Sequence, residues 1–479
     1  MTARRIATIT AALVVALAGT AIAHEATTSS SPTEYANASQ KAGSAKNMRV
    51  IGHADLGMRG FNADVWLHKQ YAYVGSWGFG DWASGADERF CPEPADSGIA
   101  VVDTRDPAKP RQVAKLQQPV GTSVEDVVVY TAKYGRMAGR DIAVGGIQVC
   151  GGSRYDTGTF RGLIAWDVTN PARPVLLGRG TTGCCTRGLH ELEVQHRADL
   201  RRTFVYASVP TSEYDDAASP SGRRDQKGRG DFRLIDVTDP KAPVETASWG
   251  VRRNQVPGLP AAGIGCDADP IYGHSAEPSA DGKRAFVAHW DSGFIDLDVT
   301  DPAKPVFRGR TTYAANADGD AHSSQYDEGR NLLFAADEDF CKTSGPSTEK
   351  GWGYLRVFSG GSSGSWSQIG SFRTANATGT DDRTAGDFTI HNPLLEGTDL
   401  YVSWYTDGIR VLDTRRPSAP TEVAHFVPPA ANNPVQPSQR GVLTNTAQMW
   451  GVAYDKGRDL VFGSDMNSGL WIVKRTDRG

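Results

Sequence analysis

Four of the ten histidines recur at one position of an internal repeat, where their imidazoles could bind a transition metal. The seven copies of that position are occupied, in chain order, by Asp64, Asp126, His190, His274, His322, His391 and Trp450. Neutral imidazoles with carboxylates beside them bind Zn²⁺, Cu²⁺ or Fe²⁺, and such an ion can activate water or O₂. We therefore predict a metal site formed by the four histidines, Asp64, Asp126 and the adjacent Glu191.

Other polar and aromatic residues near these histidines could bind a ligand. Arg187 precedes His190 and could hold a carboxylate or a phosphate. Asp318 and Asp320 alternate around a glycine before His322, like the start of a Ca²⁺ loop, although the distal glutamate of an EF-hand is missing. A solvated turn is the simpler interpretation of that loop. The predicted binding residues are Arg187, Glu193, Asp318, Asp320 and Trp450.

The elements that position these residues follow from a repeated segment of apolar residues followed by Asp, Thr and Pro. Its clear copies lie at 98–110 (GIAVVDTRDPAKP), 162–174, 232–243, 293–305 and 408–420, with weaker copies at 353–360 and 469–475. The apolar run predicts a buried strand. The Asp and Thr side chains can bond the backbone of a turn, and Pro fixes φ. The repeated Asp is therefore interpreted as a turn residue without a catalytic role.

A pair of further strands precedes each copy, because two apolar runs flank a polar hinge at 64–77, 322–337 and 450–465. Four antiparallel strands in each of seven copies, with hardly any helical periodicity, predict an all-β fold. We expect a seven-bladed β-propeller over 48–479. The segment 48–54 is similar to the fourth strands elsewhere, so we expect this N-terminal strand to pair into the C-terminal blade and close the ring.

In a propeller the histidine position would ring the central channel, at the mouth that faces the long loops. Nearly all irregular loop length falls at that end, where binding and catalysis usually reside. Two other interpretations of the histidines stay open. WD-type propellers have a Gly-His pair nearby, comparable to Gly273-His274, whose histidine only links strands by hydrogen bonds. A metal-free acid–base site would use the same side chains, and the cost of burying four unpartnered imidazoles favours function.

The repeated motif resembles the LVIVD-repeat family of secreted and cell-surface bacterial β-propellers. The resemblance extends over 48–474 and is most specific at the DVTDPAKP turn. It implies the propeller fold. It implies little chemistry, because the family is defined by its scaffold and a fold alone does not specify a reaction.

Six cysteines in an exported chain predict disulfides. Cys91 and Cys150 follow the second strands of neighbouring blades, so this pairing is favoured. Cys184 and Cys185 are adjacent in the sequence and could form a vicinal bridge or reach other loops. The pairing of Cys184, Cys185, Cys266 and Cys341 stays open, and stapling of loops is favoured over redox catalysis.

The N-terminus has the pattern of a secretory signal over 1–23, with Arg4 and Arg5, an apolar stretch and an Ala-x-Ala cleavage site. Cleavage would leave His24 at the terminus, as a copper histidine brace requires, although coincidence is the simpler interpretation. Residues 24–47 are rich in Ser, Thr and Ala and are predicted to be disordered. We therefore predict a secreted protein, extracellular or associated with the cell wall.

The net charge of −4 argues against a nucleic-acid partner, and the sequence predicts no membrane span. We expect a monomer that binds an extracellular protein, glycan or small molecule at the long-loop end of the channel. The alternative is a secreted metal-dependent enzyme, a hydrolase or an oxidoreductase, that uses the His/Asp position. The expected cofactor is a transition metal (Cu, Zn or Fe), with Ca²⁺ as a second candidate.

Overall fold

The computed structural model describes residues 43–78, 91–151, 158–183, 186–210, 229–251, 256, 272–314, 317, 319–340, 351–361, 364–378, 386–431 and 446–478. Several predictions lie outside these residues: the signal segment, His24, Asp318, Cys184, Cys185, Cys266 and Cys341. The described chain is almost entirely β-structure, with two short 3₁₀ helices at Leu56–Met58 and Asn376–Thr378. None of the helices described is both long and apolar enough to cross a membrane.

The described residues form 29 strands. Their bounds are β1 (Ser44–Lys46), β2 (Met48–Ala54), β3 (Asn62–His68), β4 (Tyr71–Ser76), β5 (Ile99–Asp103), β6 (Arg111–Leu116), β7 (Thr122–Thr131), β8 (Asp141–Val149), β9 (Gly162–Asp167), β10 (Val175–Thr181), β11 (Leu192–Arg197), β12 (Arg202–Ser208), β13 (Phe232–Asp236), β14 (Val244–Trp249), β15 (Ser275–Pro278), β16 (Arg284–Ala288), β17 (Phe294–Asp298), β18 (Val306–Arg310), β19 (Ala321–Asp327), β20 (Leu332–Asp337), β21 (Leu355–Gly360), β22 (Trp366–Phe372), β23 (Pro393–Glu396), β24 (Asp399–Trp404), β25 (Gly408–Asp413), β26 (Thr421–Val427), β27 (Met449–Asp455), β28 (Leu460–Asp465) and β29 (Gly469–Arg475).

Consecutive strands pair antiparallel in groups of four, which is the sheet pattern of a β-propeller. Strands β11–β14, β15–β18 and β19–β22 each form one sheet, and β23–β26 form another to which β1 is added. Strands β3–β6 and β7–β10 belong to one larger sheet because β4 and β7 pair at a single position, Ser76 with Val124. Strand β2 pairs with β29, beside β28 and β27.

The repeated aspartate closes the turn after the third strand of each sheet that carries it. Its Oδ1 accepts the backbone N–H two residues later at five sites: Asp103 to Arg105, Asp167 to Thr169, Asp236 to Thr238, Asp298 to Thr300 and Asp413 to Arg415, at 2.8–3.1 Å. This is the Asx-turn geometry expected of Asp in a turn. The aspartates thus act at the rim, as the sequence predicts, and away from the channel.

Arginine side chains connect neighbouring sheets through hydrogen bonds at the same turns. Arg197, at the end of β11, donates to the carbonyl oxygens of Val299 (3.0 Å) and Thr300 (2.9 Å) in the next sheet. Arg330 donates in the same way to Thr414 (2.7 Å), and Arg458 reaches Thr104 across the chain ends. The Arg197 side chain is fully buried, those of Arg330 and Arg458 are partly exposed, and all three hydrogen-bond sets join adjacent sheets.

The N-terminal segment departs from the sequence prediction at one point. Residues 44–46 fall within the segment predicted to be disordered, yet they form β1, antiparallel to β26 with Ser44 opposite Val427. The prediction is therefore wrong for these three residues. The physical reason is that β26 offers the free backbone edge of its sheet, so a short polar strand gains hydrogen bonds that composition alone does not reveal.

Replacing Arg197 with Ala should destabilise the fold strongly. The guanidinium has no exposed side-chain surface, and its loss leaves buried carbonyls without donors, so we expect the free energy of unfolding to fall by about 2–4 kcal/mol. Arg415→Ala is the matched control, because that side chain is 76% exposed and solvent screens its ion pair, so it should contribute little to stability. Denaturant unfolding measures both, and equal effects would contradict the role of Arg197.

Candidate metal centre

The four histidines converge at the start of the innermost strands of four consecutive sheets. His190, His274 and His391 precede β11, β15 and β23, and their backbone N–H groups donate to the second strand of their own sheet. His322 lies in β19. The ring centroids are 4.3 Å apart for His190–His274, 4.0 Å for His274–His322 and 4.2 Å for His322–His391. The rings thus form one continuous group, the histidine cluster, and none is more than 4% exposed.

Backbone contacts between sheets hold this cluster in place. The Ser275 hydroxyl donates to the carbonyl of His322 (2.6 Å), and the Ser323 hydroxyl donates to the carbonyl of His391 (2.9 Å). His391 forms a hydrogen bond to the next sheet, because its Nδ1 lies 2.7 Å from the carbonyl oxygen of Trp450. The backbone carbonyls of His322 and His391 are therefore each held by a hydroxyl group of the preceding sheet.

The carboxyl groups of Glu125, Glu191 and Glu338 complete the cluster. Glu125 Oε2 contacts Nδ1 of His190. Glu191 Oε1 lies 3.7 Å from Nδ1 of His274 and 3.8 Å from Nε2 of His322. Glu338 lies 3.5 Å from Nε2 of His322 through Oε2. Among the described residues, three His/Glu groups bring their ligand atoms within 4.8 Å of one another, and all three come from this cluster.

Hydrogen bonding fixes the tautomers of two of the imidazoles. His391 must donate from Nδ1, because its partner is a backbone carbonyl. The Ser323 hydroxyl donates its proton to the carbonyl of His391. It can therefore only accept a hydrogen bond from Nδ1 of His322, at 3.0 Å. Both rings consequently carry a lone pair on Nε2. Those two nitrogens have no hydrogen-bond partner in the described structure.

A third imidazole nitrogen faces the same carboxylates. Nε2 of His190 and Nε2 of His274 are 2.8 Å apart, so one of them carries the shared proton. Desolvation raises the pKa of Glu125 well above its usual range and so favours a proton on Nδ1 of His274. An ionised Glu125 would instead accept from Nδ1 of His190 and make His274 donate from Nε2. The Nδ1 lone pair of His274 then faces Glu191 Oε1, and both atoms are buried without a hydrogen bond in the described structure. Two acceptors that face each other require a cation or an added proton between them.

The spacing of these atoms fits a transition metal with few adjustments. His391 Nε2 lies 3.8 Å from Glu338 Oε1, so all four facing N···O distances fall between 3.5 and 3.8 Å. Two ligands on a tetrahedral ion with bonds of roughly 2.0–2.1 Å stand about 3.3 Å apart. Movements of a few tenths of an ångström per side chain would therefore bring them into coordination distance. Tyr405 donates its hydroxyl proton to Glu338 Oε1 and orients that carboxylate.

Burial keeps the cluster uncharged while no cation is present. Desolvation lowers the pKa of His190 to about 3 and lowers the pKa values of His274, His322 and His391 well below the usual range. Desolvation also raises the pKa of Glu191 well above its usual range. A bound cation would reverse the second effect, because it stabilises the ionised carboxylate, and it would use the imidazoles in the neutral form that they already have.

Asp64 and Asp126 are predicted as ligands of the same ion. They belong to none of the compact His/Glu groups found in the described part of the chain. Instead they line a neighbouring cavity with Glu193, where desolvation raises the pKa of Asp126 to about 7. The cause is a β-bulge: the register of β7 on β8 shifts between Val124 and Val127, so Glu125 points to the cluster and Asp126 to the cavity.

The other predicted site residues have structural partners. Trp450 packs on His391 with centroids 4.2 Å apart. Arg187 is buried. Desolvation is the larger cause of the lowered pKa of His190, and the positive charge of Arg187 is the second cause. Asp320 is buried, and its carbonyl accepts the N–H of Glu338 at 2.9 Å. The favoured disulfide between Cys91 and Cys150 is present, with Cα atoms 5.1 Å apart.

Sequence reasoning missed Glu125 and Glu338, and it considered Tyr405 only as an aromatic residue that could line the pocket mouth. Glu125 directly precedes the aligned Asp126, and only the bulge decides which of the two carboxylates reaches the histidines. Glu338 and Tyr405 follow β20 and β24, the second strands of their sheets, where the repeat has no fixed residue type. The available signal was a carboxylate or phenol directly after a second strand. That signal is common in loops and does not single out a ligand.

Comparison with known proteins agrees with the repeat. The family described as LVIVD repeat matches residues 273–312, which contain β15–β18, and this confirms the predicted resemblance over that segment. No curated protein matches the chain. Two similar solved structures are the C-terminal WD40 domain of Sif2 (10% identity, 89% of this chain and 98% of that chain, TM-score 0.45) and the β-propeller domain of Myceliophteria thermophila Cps50 (Swd1) (10%, 87% and 97%, 0.46).

Replacing Glu191 with Gln should leave the metal-free protein as stable as the parent or more stable, by up to about 1 kcal/mol. The amide N–H groups can donate to the lone pair of His322 that the carboxylate only faces. Glu422→Gln is the control, because that carboxylate already accepts from Arg410 and His425. Denaturant unfolding with chelator present measures both. A loss of about 2 kcal/mol or more in Glu191→Gln would show that Glu191 serves the fold.

Proposed function

We propose that this chain, which carries an LVIVD repeat in a β-propeller, binds a divalent transition-metal ion in its central channel. The same proposal includes seven blades, with β2 supplying the fourth strand of the last one. The strand pairing supports this count, because each group of four strands begins at one innermost strand and β2 completes the group of β27–β29. The metal would lie where four of those innermost strands begin.

One observation carries the proposal: buried imidazole lone pairs that make no hydrogen bond in the described structure face the side-chain oxygens of Glu191 and Glu338. Nε2 of His322 and Nε2 of His391 are acceptors by their hydrogen-bond partners, and Glu191 and Glu338 present further acceptors 3.5–3.8 Å away. Such an arrangement is costly in a site without water unless a cation joins the atoms. A metal ion satisfies all of them at once.

The donor set indicates which ions are suitable. Imidazole nitrogens with carboxylate oxygens suit Zn²⁺, Cu²⁺, Fe²⁺ or Ni²⁺, whereas Ca²⁺ and Mg²⁺ prefer oxygen ligands alone. His322 has one lone pair and sits between both carboxylates, so we propose a single ion centred on His322. Glu191, Glu338, His274 and His391 would supply the remaining ligands. His190 would position His274 through their 2.8 Å contact.

The two other interpretations of the histidines account for less of the geometry. Linking of strands explains Nδ1 of His391, which bonds the carbonyl of Trp450, but it leaves Nε2 of His322 and of His391 unexplained. A metal-free acid–base site built on these histidines needs imidazoles that change protonation near neutral pH, and burial lowers the pKa of His190 to about 3. Enzymatic activity, export and an extracellular ligand for the long loops remain predictions from the sequence.

Metal analysis of the purified protein tests the proposal. We expect about one equivalent of Zn, Cu or Fe per chain after exposure to these ions, and a rise in the thermal midpoint on adding back the ion to chelated protein. His322→Ala should weaken binding at least tenfold, because it removes the central ligand. His425→Ala is the matched control, since that histidine pairs with Glu422 on an outer strand.

Two outcomes would contradict the proposal. One is the absence of bound metal in folded parent protein after exposure to all three ions. The other is equal metal content in His322→Ala and His425→Ala, which would place the ion outside the histidine cluster. If His322→Ala does not fold, His391→Ala answers the same question from the other side of Glu338.

A further inference from the structure

A cavity of about 110 Å³ lies beside the histidine cluster, farther along the innermost strands. Five carboxyl groups line it: Asp64, Asp126, Glu191, Glu193 and Glu277. Hydroxyl and amide side chains of Ser275, Ser323, Ser324, Gln325 and Asn392 also contribute, and no Lys or Arg lines it in the described part of the chain. We call it the acidic cavity. It is large enough for several water molecules, and its charge has no cationic partner in its walls.

The channel becomes more accessible from the histidine cluster toward the acidic cavity. The first residues of β15, β19 and β27 are buried and their last residues are partly exposed. In the opposite direction the described residues before the histidines, such as Leu189 and Ile390, are fully buried. Among the described residues, the ends of these strands are therefore more exposed than their starts. The sequence predicts a binding site at the end with the long loops, many of whose residues lie outside those described.

Glu191 joins the cavity to the cluster. It lines the acidic cavity, and its Oε1 also faces His274 and His322 at 3.7 and 3.8 Å. The residue is only 7% exposed, and this oxygen has no hydrogen bond within the described structure. Ser324 Oγ, in a side chain that is 5% exposed, also lines the cavity without a hydrogen bond there. Buried polar atoms that point into an acidic space favour a cation as its occupant.

Hydrogen bonds hold several of the carboxylates in place without neutralising them. Asp64 Oδ2 accepts from the amide of Asn392 at 2.7 Å, and Asp126 Oδ2 accepts from the backbone N–H of Leu192 at 2.8 Å. Glu277 accepts a backbone N–H from Tyr326. Neutral donors fix these side chains and leave other oxygens for water or an ion. The cavity is thus a fixed set of oxygen ligands.

We infer that the acidic cavity is the access chamber through which the metal ion reaches the histidine cluster, an inference that rests on the proposed function. Its carboxylates attract the hydrated divalent cation and replace part of its water shell. Glu191 then shares the ion with His274 and His322, and the imidazoles complete the coordination. Desolvation raises the pKa values of Asp64, Asp126, Glu193 and Glu277, so these groups carry only part of their full negative charge near neutral pH. Negative charge in a low-dielectric cleft raises the local cation concentration and the association rate, by about 10- to 1,000-fold.

The rate of Co²⁺ loading into chelated, metal-free protein tests this inference, because Co²⁺ bound by imidazoles has a visible absorption band. The double variant Glu193→Gln/Glu277→Gln removes two carboxyl groups from the cavity and leaves every proposed ligand intact. The control variant Glu93→Gln/Glu328→Gln removes two carboxyl groups at exposed positions. We expect the association rate to fall at least tenfold in the cavity variant only, with the same final spectrum and stoichiometry.

Each other outcome has a distinct meaning. Equal association rates in the cavity variant and the control would overturn the access role, as would a faster release of Co²⁺ with an unchanged association rate. Absence of Co²⁺ from the parent protein would instead reject the proposed function on which the inference rests. If the double variant does not fold, Glu277→Gln alone carries the test, with an expected fall of several-fold.

Discussion

The protein depends on one constraint: polar side chains enclosed in a propeller channel must satisfy one another. The backbone groups of the innermost strands are largely committed to their own sheets, so few are left for the channel. The strands nevertheless place four histidines and seven acidic residues there or beside it. Ser275, Ser323 and the carbonyl of Trp450 satisfy part of this demand. The remaining imidazole and carboxylate atoms face one another, and a cation joins such atoms without any change of fold.

Other parts of the scaffold supply the stability that offsets the cost of burying these polar groups. Asx turns form at Asp103 and its counterparts, and arginines such as Arg197 join neighbouring sheets, at the rim. Apolar layers between sheets supply the burial that drives folding, for example where Phe204 and Tyr206 meet Ala285 and Val287. Stability therefore comes from the rim and the layers. The channel can therefore hold imidazole and carboxyl groups that do not fully satisfy one another by hydrogen bonds until the proposed ion binds.

The sequence predicts the β-propeller scaffold well because the segment of an apolar strand and its turn recurs along the chain, in clear and weaker copies. The resemblance of the DVTDPAKP turn to the LVIVD repeat is confirmed, and the alignment of copies identifies all four clustered histidines. The carboxylates are harder to predict. A bulge in β7 exchanges the roles of Glu125 and Asp126, and Glu338 comes from a second strand rather than an innermost one. Register shifts of one residue and contacts between distant strands leave no periodic signal in a single sequence.

Access to the histidine cluster is a further feature that loop length alone does not decide. Long loops predict a binding mouth at their own end, and many residues of those loops lie outside the described chain. The opposite side has short turns and accessible strand ends, and the acidic cavity lies there. Short turns leave a channel uncovered, whereas long loops can fold over it. An ion and a large partner can therefore use opposite ends of the same propeller, so metal binding and the predicted contacts of the long loops need not compete.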